Sequence, residues 1–343
     1  MTQLYIIRHA EAEGNIYRRI DGHYNSRITA NGYRQIDALT ERFKSIPVDA
    51  VYASDLFRTC ETAKAIYVPK GLELHKDARF RETAFGVWED KNFGWLEQFE
   101  SGEFDRFSHN PDSWRTEGAE QAKECSDRFL TALNEIAQKH NGQTVAVFSH
   151  GCVTGYAFRR LFGENAKKAG RCDNSGVSLI RYEGGKFSFE YLYDNSHLTE
   201  EISTLAHQLW WRGKRDFNLW FRTPQSSDRS LFDPEHLPCE GHKTLIAVLA
   251  DRPVGYLSYS VQGNTVTVSC LYLIAECRHV RMGDQLLGTA VVEGRAIGCT
   301  ELKAVVPYQN KDAAAFFARL GARSVKADHF TVSYSMPIGI PVY

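Results

Sequence analysis

Apolar and polar positions alternate along the first half of the chain in two periods. The run from Leu4 to Ile7 is uninterrupted, of strand length, and stops abruptly at Arg8-His9. A polar, glycine-containing stretch over 11–26 reads as a loop. Thr29 then stands where a helix cap belongs, and Ala30, Ile36, Leu39 and Phe43 share roughly one face of a helix predicted to end near residue 45. Strand-like runs at 48–53, 72–75 and 144–148 alternate with helical stretches at 55–67, 118–140 and 151–161, and strands at 177–182 and 187–193 close the region. This order predicts a mainly parallel sheet covered by helices on both faces. Residues 79–117 break the pattern. They are aromatic (Phe80, Phe85, Trp88, Phe93, Trp95, Trp114), without a period, and read as an irregular insertion that forms a lid or substrate wall.

Beyond Asn195 the pattern changes. Residues 200–221 are helix-like and rich in tryptophan and basic residues (Trp210, Trp211, Arg212, Lys214, Arg215, Trp220), and 223–230 is a polar turn-forming segment. Strands follow at 243–250, 254–261 and 265–274, the last two joined by a turn at Gln262-Gly263-Asn264. A helix at 282–297, a strand at 301–306, a helix at 312–320 and a strand at 331–335 complete the chain. The division expected is one domain over 1–200, a connector over 201–235 and a second domain over 236–343; a chain of 343 residues is too long for one core, which rarely exceeds roughly 250–300 residues.

Composition narrows the class. A net charge of -1 gives no general attraction to nucleic acid or an anionic membrane. The basic, tryptophan-rich connector is read as an aromatic face packed between domains with its arginines in water, not as a nucleic-acid site. No apolar stretch approaches the roughly 18 residues that span a bilayer, and the first strand begins too early for a signal peptide; a cytoplasmic protein is expected. The eight cysteines (Cys60, Cys125, Cys152, Cys172, Cys239, Cys270, Cys277, Cys299) form no Cys-x-x-Cys pair, which fits free thiols better than zinc or disulfides.

The chemistry gathers around His9. Arg58 follows the second strand, Glu82 lies in the aromatic insertion, and His150 ends a long apolar strand. In a doubly wound sheet such strand ends converge on one edge. A neutral imidazole is a competent nucleophile, guanidinium groups grip phosphate oxygens bidentately, and Asn15 and His150 can donate further hydrogen bonds. Glu82 suits protonation of a leaving alcohol followed by activation of water. No metal is required by such a set. Arg8-His9-Ala10-Glu11 with Asn15, Ser54-Asp55-Leu56-Phe57-Arg58-Thr59, Arg81-Glu82 with Phe85-Gly86-Val87-Trp88-Glu89, and Ser149-His150-Gly151 resemble the histidine phosphatase (phosphoglycerate mutase-like) superfamily over about the first 200 residues. The resemblance implies a three-layer α/β/α domain, a phosphohistidine on His9, a phosphate pocket of Arg8, Arg58, His150 and Asn15, and Glu82 as proton donor. Ala10 and Asp90 stand where many members have Gly.

The second domain resembles the GNAT acetyltransferases over about 241–336, through the run from Leu271 to Leu287 and the capped helix that begins at Asn310. The resemblance implies an α+β fold with a mixed, mainly antiparallel sheet. Leu271 and Leu273 would run beside pantetheine, the amides of Arg278, Arg281 and Gly283 would hold a pyrophosphate, and Asn310 would contact acetyl-CoA. Arg281 replaces a usual Gly, and Phe317 a usual Tyr that acts as acid. The expected protein is therefore a phosphatase acting on a small phosphorylated metabolite, fused to a domain that binds acetyl-CoA and acetylates an amine. The alternatives are a phosphomutase, an acetyltransferase or acetyl-CoA sensor whose phosphatase is secondary, and a degenerate second domain that packs on the first or forms a homodimer.

Overall fold

The computed structural model describes residues 1–208, 217–231 and 241–341. The tryptophan-rich part of the connector (Trp210, Trp211, Arg212, Lys214, Arg215) and Cys239 lie outside the described residues. The first strand explains the first domain. β1 (Thr2–Arg8) sends Leu4 and Ile6 into one apolar cluster and Tyr5 and Ile7 into another, so a continuous apolar run is what a strand buried on both faces requires.

Around it the chain forms α1 (Glu13–Tyr17), α2 (Ala30–Phe43), β2 (Ala50–Ala53), α3 (Phe57–Lys70), β3 (Leu74–Lys76), α4 (Phe93–Phe99), α5 (Ser101–His109), α6 (Ala122–Lys139), β4 (Thr144–Ser149), α7 (Gly151–Phe162), α8 (Glu164–Lys168), β5 (Val177–Glu183), β6 (Lys186–Asp194) and α9 (Thr204–His207). The sheet order is β3-β2-β4-β1-β5-β6, parallel through β1 and antiparallel at β5 and β6. Ile36, Leu39 and Phe43 of α2 and Phe129, Leu133 and Ile136 of α6 cover its opposite faces. Thr29 caps α2, its Oγ1 accepting from Gly32 N at 2.9 Å.

Two first-domain expectations need correction. The insertion is not irregular: α4 and α5 lie within it, and its aromatic residues make a core of their own, with Trp88 and Trp114 buried among Phe85, Phe104 and Phe107. The stretch read as a loop over 11–26 contains α1, whose five residues are too few and too polar to show a helical period.

The second domain contains β7 (Leu219–Arg222), β8 (Lys243–Leu249), β9 (Arg252–Gln262), β10 (Thr265–Leu273), α10 (Met282–Ala296), β11 (Glu301–Pro307), α11 (Lys311–Arg319), β12 (Arg323–Ala327) and β13 (Thr331–Pro337). Its sheet runs β12-β13-β11-β10-β9-β8-β7, with β10–β11 the one parallel pair among these strands. The helical reading of 200–221 fails at its C-terminal end. There Leu219–Arg222 forms an edge strand on β8, because Leu219 alone is fully buried and the partner strand supplies the backbone bonds. β10 and β11 pair only over Thr265–Val268 and 301–304; past that point β10 stays on β9 alone, with a register shift at Val268/Cys270, and β11 on β13 alone.

The domains are joined by side chains, not only by the connector. Ile16 and Tyr17 of α1 belong to the second domain's core, with Leu286, Leu287 and Phe317. A Cβ on Gly288 of α10 would lie 2.6 Å from Tyr17 Cβ and 2.7 Å from its Cδ1. A Cβ on Gly94 of α4 would lie 2.8 Å from the Asn218 carbonyl. Arg18 Nε donates to Asn218 Oδ1 at 2.9 Å, and within the second domain Gln285 of α10 bridges Leu219 N (2.8 Å) and Phe217 O (3.0 Å) on either side of that asparagine. The described cysteines are free thiols. No helix among the described residues is long and apolar enough to cross a membrane.

Candidate active site

The C-terminal ends of β1, β2 and β4 are neighbours, so Arg8, His9, the start of α3 with Arg58, and His150 meet at one sheet edge. His9 is 4% exposed, and its Nδ1 lies 2.8 Å from the Ala10 carbonyl. A carbonyl only accepts, so Nδ1 carries the proton and Nε2 keeps its lone pair. Burial, then Arg58 and Arg8, hold the His9 pKa well below the usual imidazole value, so the ring is neutral at pH 7. The backbone around it is fixed. His9 N donates to Ser149 O (3.0 Å), His9 O accepts from Ser175 N (3.0 Å) and Asn174 Nδ2 (3.1 Å), and Ala10 N donates to Thr62 Oγ1 (2.9 Å).

The guanidinium groups are aimed by main-chain carbonyls. Arg8 Nη1 donates to Cys172 O at 2.8 Å; Arg58, 1% exposed, donates from Nη1 to Tyr24 O at 3.0 Å and from Nη2 to Gly22 O at 2.7 Å. Arg8 Nε, Arg58 Nε and His150 Nδ1 are buried without a hydrogen-bond partner among the described residues. Orphaned donors of this kind are expensive unless an anion takes them. A Cβ on Gly151 would lie 3.3 Å from Arg8 Nε, so the first residue of α7 leaves little room beside that group.

His150 lies in tilted contact with His9, ring centroids 5.2 Å apart. Its Nε2 is 2.9 Å from Ser54 Oγ, which also accepts from Leu56 N at 3.3 Å. The Ser54 hydroxyl keeps its proton to donate to Nε2, an arrangement in which the ring proton stands on the orphaned Nδ1. Burial, then Arg58 and His9, lower the His150 pKa well below its usual value, so it acts as a neutral donor. Asn15 Oδ1 accepts from Ala12 N and Asn174 Nδ2, both at 3.0 Å, which leaves the Nδ2 side of its amide to donate.

Glu82, 8% exposed, accepts at Oε1 from Thr83 N (3.0 Å) and Val153 N (2.8 Å) and at Oε2 from Cys152 N (2.9 Å). Two of those amides open α7, the helix that starts beside His150. With two donors on Oε1 and one on Oε2, Oε2 keeps a lone pair for a proton. Sequence reasoning missed Ser54, Thr62 and Asn174. Ser54 stood in a quoted motif without a role, whereas nothing local marks Asn174. Among the described residues, no group of three or more His, Cys, Asp and Glu side chains is arranged to hold a metal.

In the second domain, α10 begins at Arg281 with φ 65° and no side-chain cap, and His279 has φ 57°. The left-handed turn that a Gly would make freely is made here by Arg281, at a cost of about 1 kcal/mol. Asp90 does the same where Gly is usual, with φ 62° and a 2.8 Å ion pair to Arg19. Arg278 is tied to the protein: its amide donates to Ala275 O (3.2 Å) and its Nε to Leu273 O (2.7 Å), so neither that amide nor that carbonyl is free for a coenzyme. Gly283 sits on the α10 first turn near Phe316, Leu271 is partly buried beside the core, and Asn310 Oδ1 caps α11 by accepting from Ala313 N at 3.0 Å. Phe317 is buried and stacks on Tyr334, ring centroids 5.2 Å apart.

Comparison with known proteins divides the chain in the same way. Residues 4–195 match the model of the histidine phosphatase superfamily (branch 1), and residues 207–322 that of the acetyltransferase (GNAT) family. A probable phosphoglycerate mutase, GpmB of Proteus mirabilis, is 32% identical over 208 residues, 58% of this chain and 96% of that protein. Among solved structures, Bacillus stearothermophilus YhfR is 28% identical with a TM-score of 0.55, covering 57% of this chain and 99% of its own. The alpha-ribazole phosphatase of Shigella flexneri, 23% identical with a TM-score of 0.51 over 56% of this chain and 96% of its own, shares the fold.

Proposed function

From the chain's membership of the histidine phosphatase superfamily, fused to a GNAT domain, we propose that it hydrolyses a small phosphorylated metabolite through a phosphohistidine on His9. The observation that carries this reading is the set of orphaned donors, Arg8 Nε, Arg58 Nε and His150 Nδ1, around a neutral histidine. In the first step the His9 Nε2 lone pair attacks phosphorus as the ester oxygen departs, and that oxygen takes a proton from Glu82. Arg8, Arg58, His150 and the Asn15 amide hold the three equatorial oxygens, whose charge shifts in the transition state. In the second step Glu82 accepts a proton from water, which attacks the phosphohistidine, returns the electron pair to Nε2 and releases phosphate. The relative named a probable phosphoglycerate mutase supports a small phosphorylated metabolite as the substrate class.

A chromogenic phosphate ester, assayed without added metal, tests the proposal. Activity in wild type that is lost in His9→Ala is expected; full activity in that variant refutes the His9 mechanism. Transfer of phosphate to a second hydroxyl rather than water, followed with a screen of phosphorylated metabolites, would make the protein a phosphomutase instead.

For the second domain we propose acetyl-CoA binding. The uncapped start of α10, the left-handed turn at Arg281 and the divergence of β10 from β11 fit a pyrophosphate and an extended pantetheine, with Leu271, Leu273, Gly283 and Asn310 beside them. Bound acetyl-CoA would supply an acyl group. Phe317 has no proton to give a leaving thiolate, so binding and sensing are better supported than acetyl transfer. Heat on titration with acetyl-CoA is expected; no heat and no thermal shift at millimolar ligand would leave the domain a packing element.

A further inference from the structure

We infer that Arg295, on α10 of the second domain, is a positioning residue for the phosphate pocket of the first. The inference rests on the phosphate pocket proposed above and reaches it through two routes. Arg295 Nη2 donates to both carboxylate oxygens of Glu13, at 2.8 and 3.1 Å, and the pair is almost wholly buried, with side chains 11% and 7% exposed. Glu13 is the first residue of α1, the helix that carries Asn15. The amide of Asn15 is locked by Asn174, and Asn174 also holds the His9 carbonyl. One end of the Arg295 guanidinium therefore fixes the helix from which Asn15 donates.

The other route leads to Arg58. Arg295 Nη1 donates to Tyr24 Oη at 3.3 Å, and the Tyr24 carbonyl accepts from Arg58 Nη1 at 3.0 Å. The segment between the two routes is stitched to Glu13, whose Oε2 accepts from Arg27 N at 3.0 Å and whose N donates to Arg27 O at 2.9 Å. Arg295 Nε donates to Ile338 O at 2.7 Å and Arg27 Nη1 to Gly339 O at 2.5 Å, so the C-terminal segment of the second domain closes the arrangement. Of the groups proposed to grip phosphate, Asn15 thus stands on a helix that a single side chain of the other domain holds in register, and the Arg58 guanidinium is aimed by the carbonyl of a residue that the same side chain holds. A phosphate pocket needs its donors within a few tenths of an ångström of the equatorial oxygens, and such supporting contacts set that tolerance. The acetyltransferase-like domain is in this sense a structural part of the phosphatase site.

The test compares the full-length wild type with Arg295→Met, Arg295→Lys and the charge-neutral pair Glu13→Gln/Arg295→Met. Two readouts are used: steady-state hydrolysis of p-nitrophenyl phosphate, and calorimetric binding of orthovanadate, which needs no turnover. For Arg295→Met, KM and the vanadate dissociation constant are expected to rise about tenfold, with kcat changed less, and Arg295→Lys is expected to recover part of the loss. A general loss of folded protein would lower the apparent kcat and leave KM and the vanadate constant unmoved. Should Arg295→Met fail to fold because Glu13 is left buried and unpaired, the neutral pair carries the same expectation. A folded Arg295→Met or neutral pair with wild-type KM and wild-type vanadate affinity overturns the inference. Wild type that binds vanadate but turns over no ester, or His9→Ala that keeps its activity, overturns the proposed catalysis instead and leaves the binding comparison to decide on Arg295.

Discussion

Gly288 offers a test in which two physical effects predict opposite signs. It sits within α10, and in a helix interior Gly→Ala stabilises by about 1 kcal/mol through backbone entropy. Against that, the new methyl would lie 2.6 Å from Tyr17 Cβ and 2.7 Å from Cδ1, well inside contact, and Tyr17 is 3% exposed within the core. Overpacking of a dense core costs typically about 1–3 kcal/mol, and here it must shift α1 as well, so Gly288→Ala is expected to destabilise by about 1–2 kcal/mol net. Gly155 in α7 is the control, since a Cβ there meets nothing within 4 Å; Gly155→Ala should be neutral or stabilising by up to about 1 kcal/mol. The background matters most. Tyr17→Ala alone should cost about 3–5 kcal/mol by removing a buried ring. Adding Gly288→Ala to it should then stabilise, because the obstacle is gone and the propensity gain of about 1 kcal/mol remains. Urea unfolding of the four chains, read by tryptophan fluorescence and far-ultraviolet dichroism, gives the cycle. Gly288→Ala as stable as wild type, or the same sign in both backgrounds, would refute the contact between the domains.

Further expectations concern the site. Ser54→Ala removes the hydroxyl that holds His150 Nε2 and should lower kcat about 10–100-fold, at a cost of about 1–3 kcal/mol because Leu56 N and Nε2 lose a buried partner; an unchanged kcat would remove Ser54 from the account. Glu82→Gln should lower kcat about 10²–10⁴-fold, and cost about 1–3 kcal/mol because an amide has one oxygen where three N–H groups now donate to two. His9 and His150 have lowered folded pKa values, so the unfolded chain takes up their protons first. Their contribution to stability is present above about pH 6.5 and is lost as the pH falls below it. Asp21 has the opposite sign: burial raises it to about 6, so its protonated form favours folding. That contribution is present below pH 3.8 and lost as the pH rises towards 6. Asp21→Asn should flatten this part of the profile by up to about 3 kcal/mol, and a parallel profile would show that the carboxyl is not held as described.

The meeting of the site's side chains at one sheet edge was legible because each ends a strand or interrupts a distinctive motif, and a doubly wound sheet gathers strand ends whatever the loops do. Arg8, His9, Arg58 and His150 needed only the alternation of strands and helices. The roles of Ser54 and Asn174 were not legible, since a serine or an asparagine in a turn has many local uses and acquires this one only from a partner far along the chain. The same reason hid α1, whose apolar residues, Ile16 and Tyr17, find their partners in α10 and have no helical neighbours of their own period. The insertion misled by its lack of a period: it read as irregular, but its aromatic residues pack against one another with α4 and α5. Leu219–Arg222 read as helix because a four-residue edge strand shows too little alternation to outweigh its neighbours.

The insertion of Tyr17 beside Gly288 also bears on how the molecule is made. The last strand of its own sheet, β6, is complete at Asp194, but the resting place of the ring beside Gly288 is translated about 94 residues after that, roughly 5–19 s at ordinary elongation rates. For that interval the histidine-bearing half must hold together with Ile16 and Tyr17 uncovered, and with Glu13 lacking the charge that balances it. Its final shape is therefore reached only once the helix from the other half arrives, so the order of translation, and not only the order of strands, is written into where that tyrosine points.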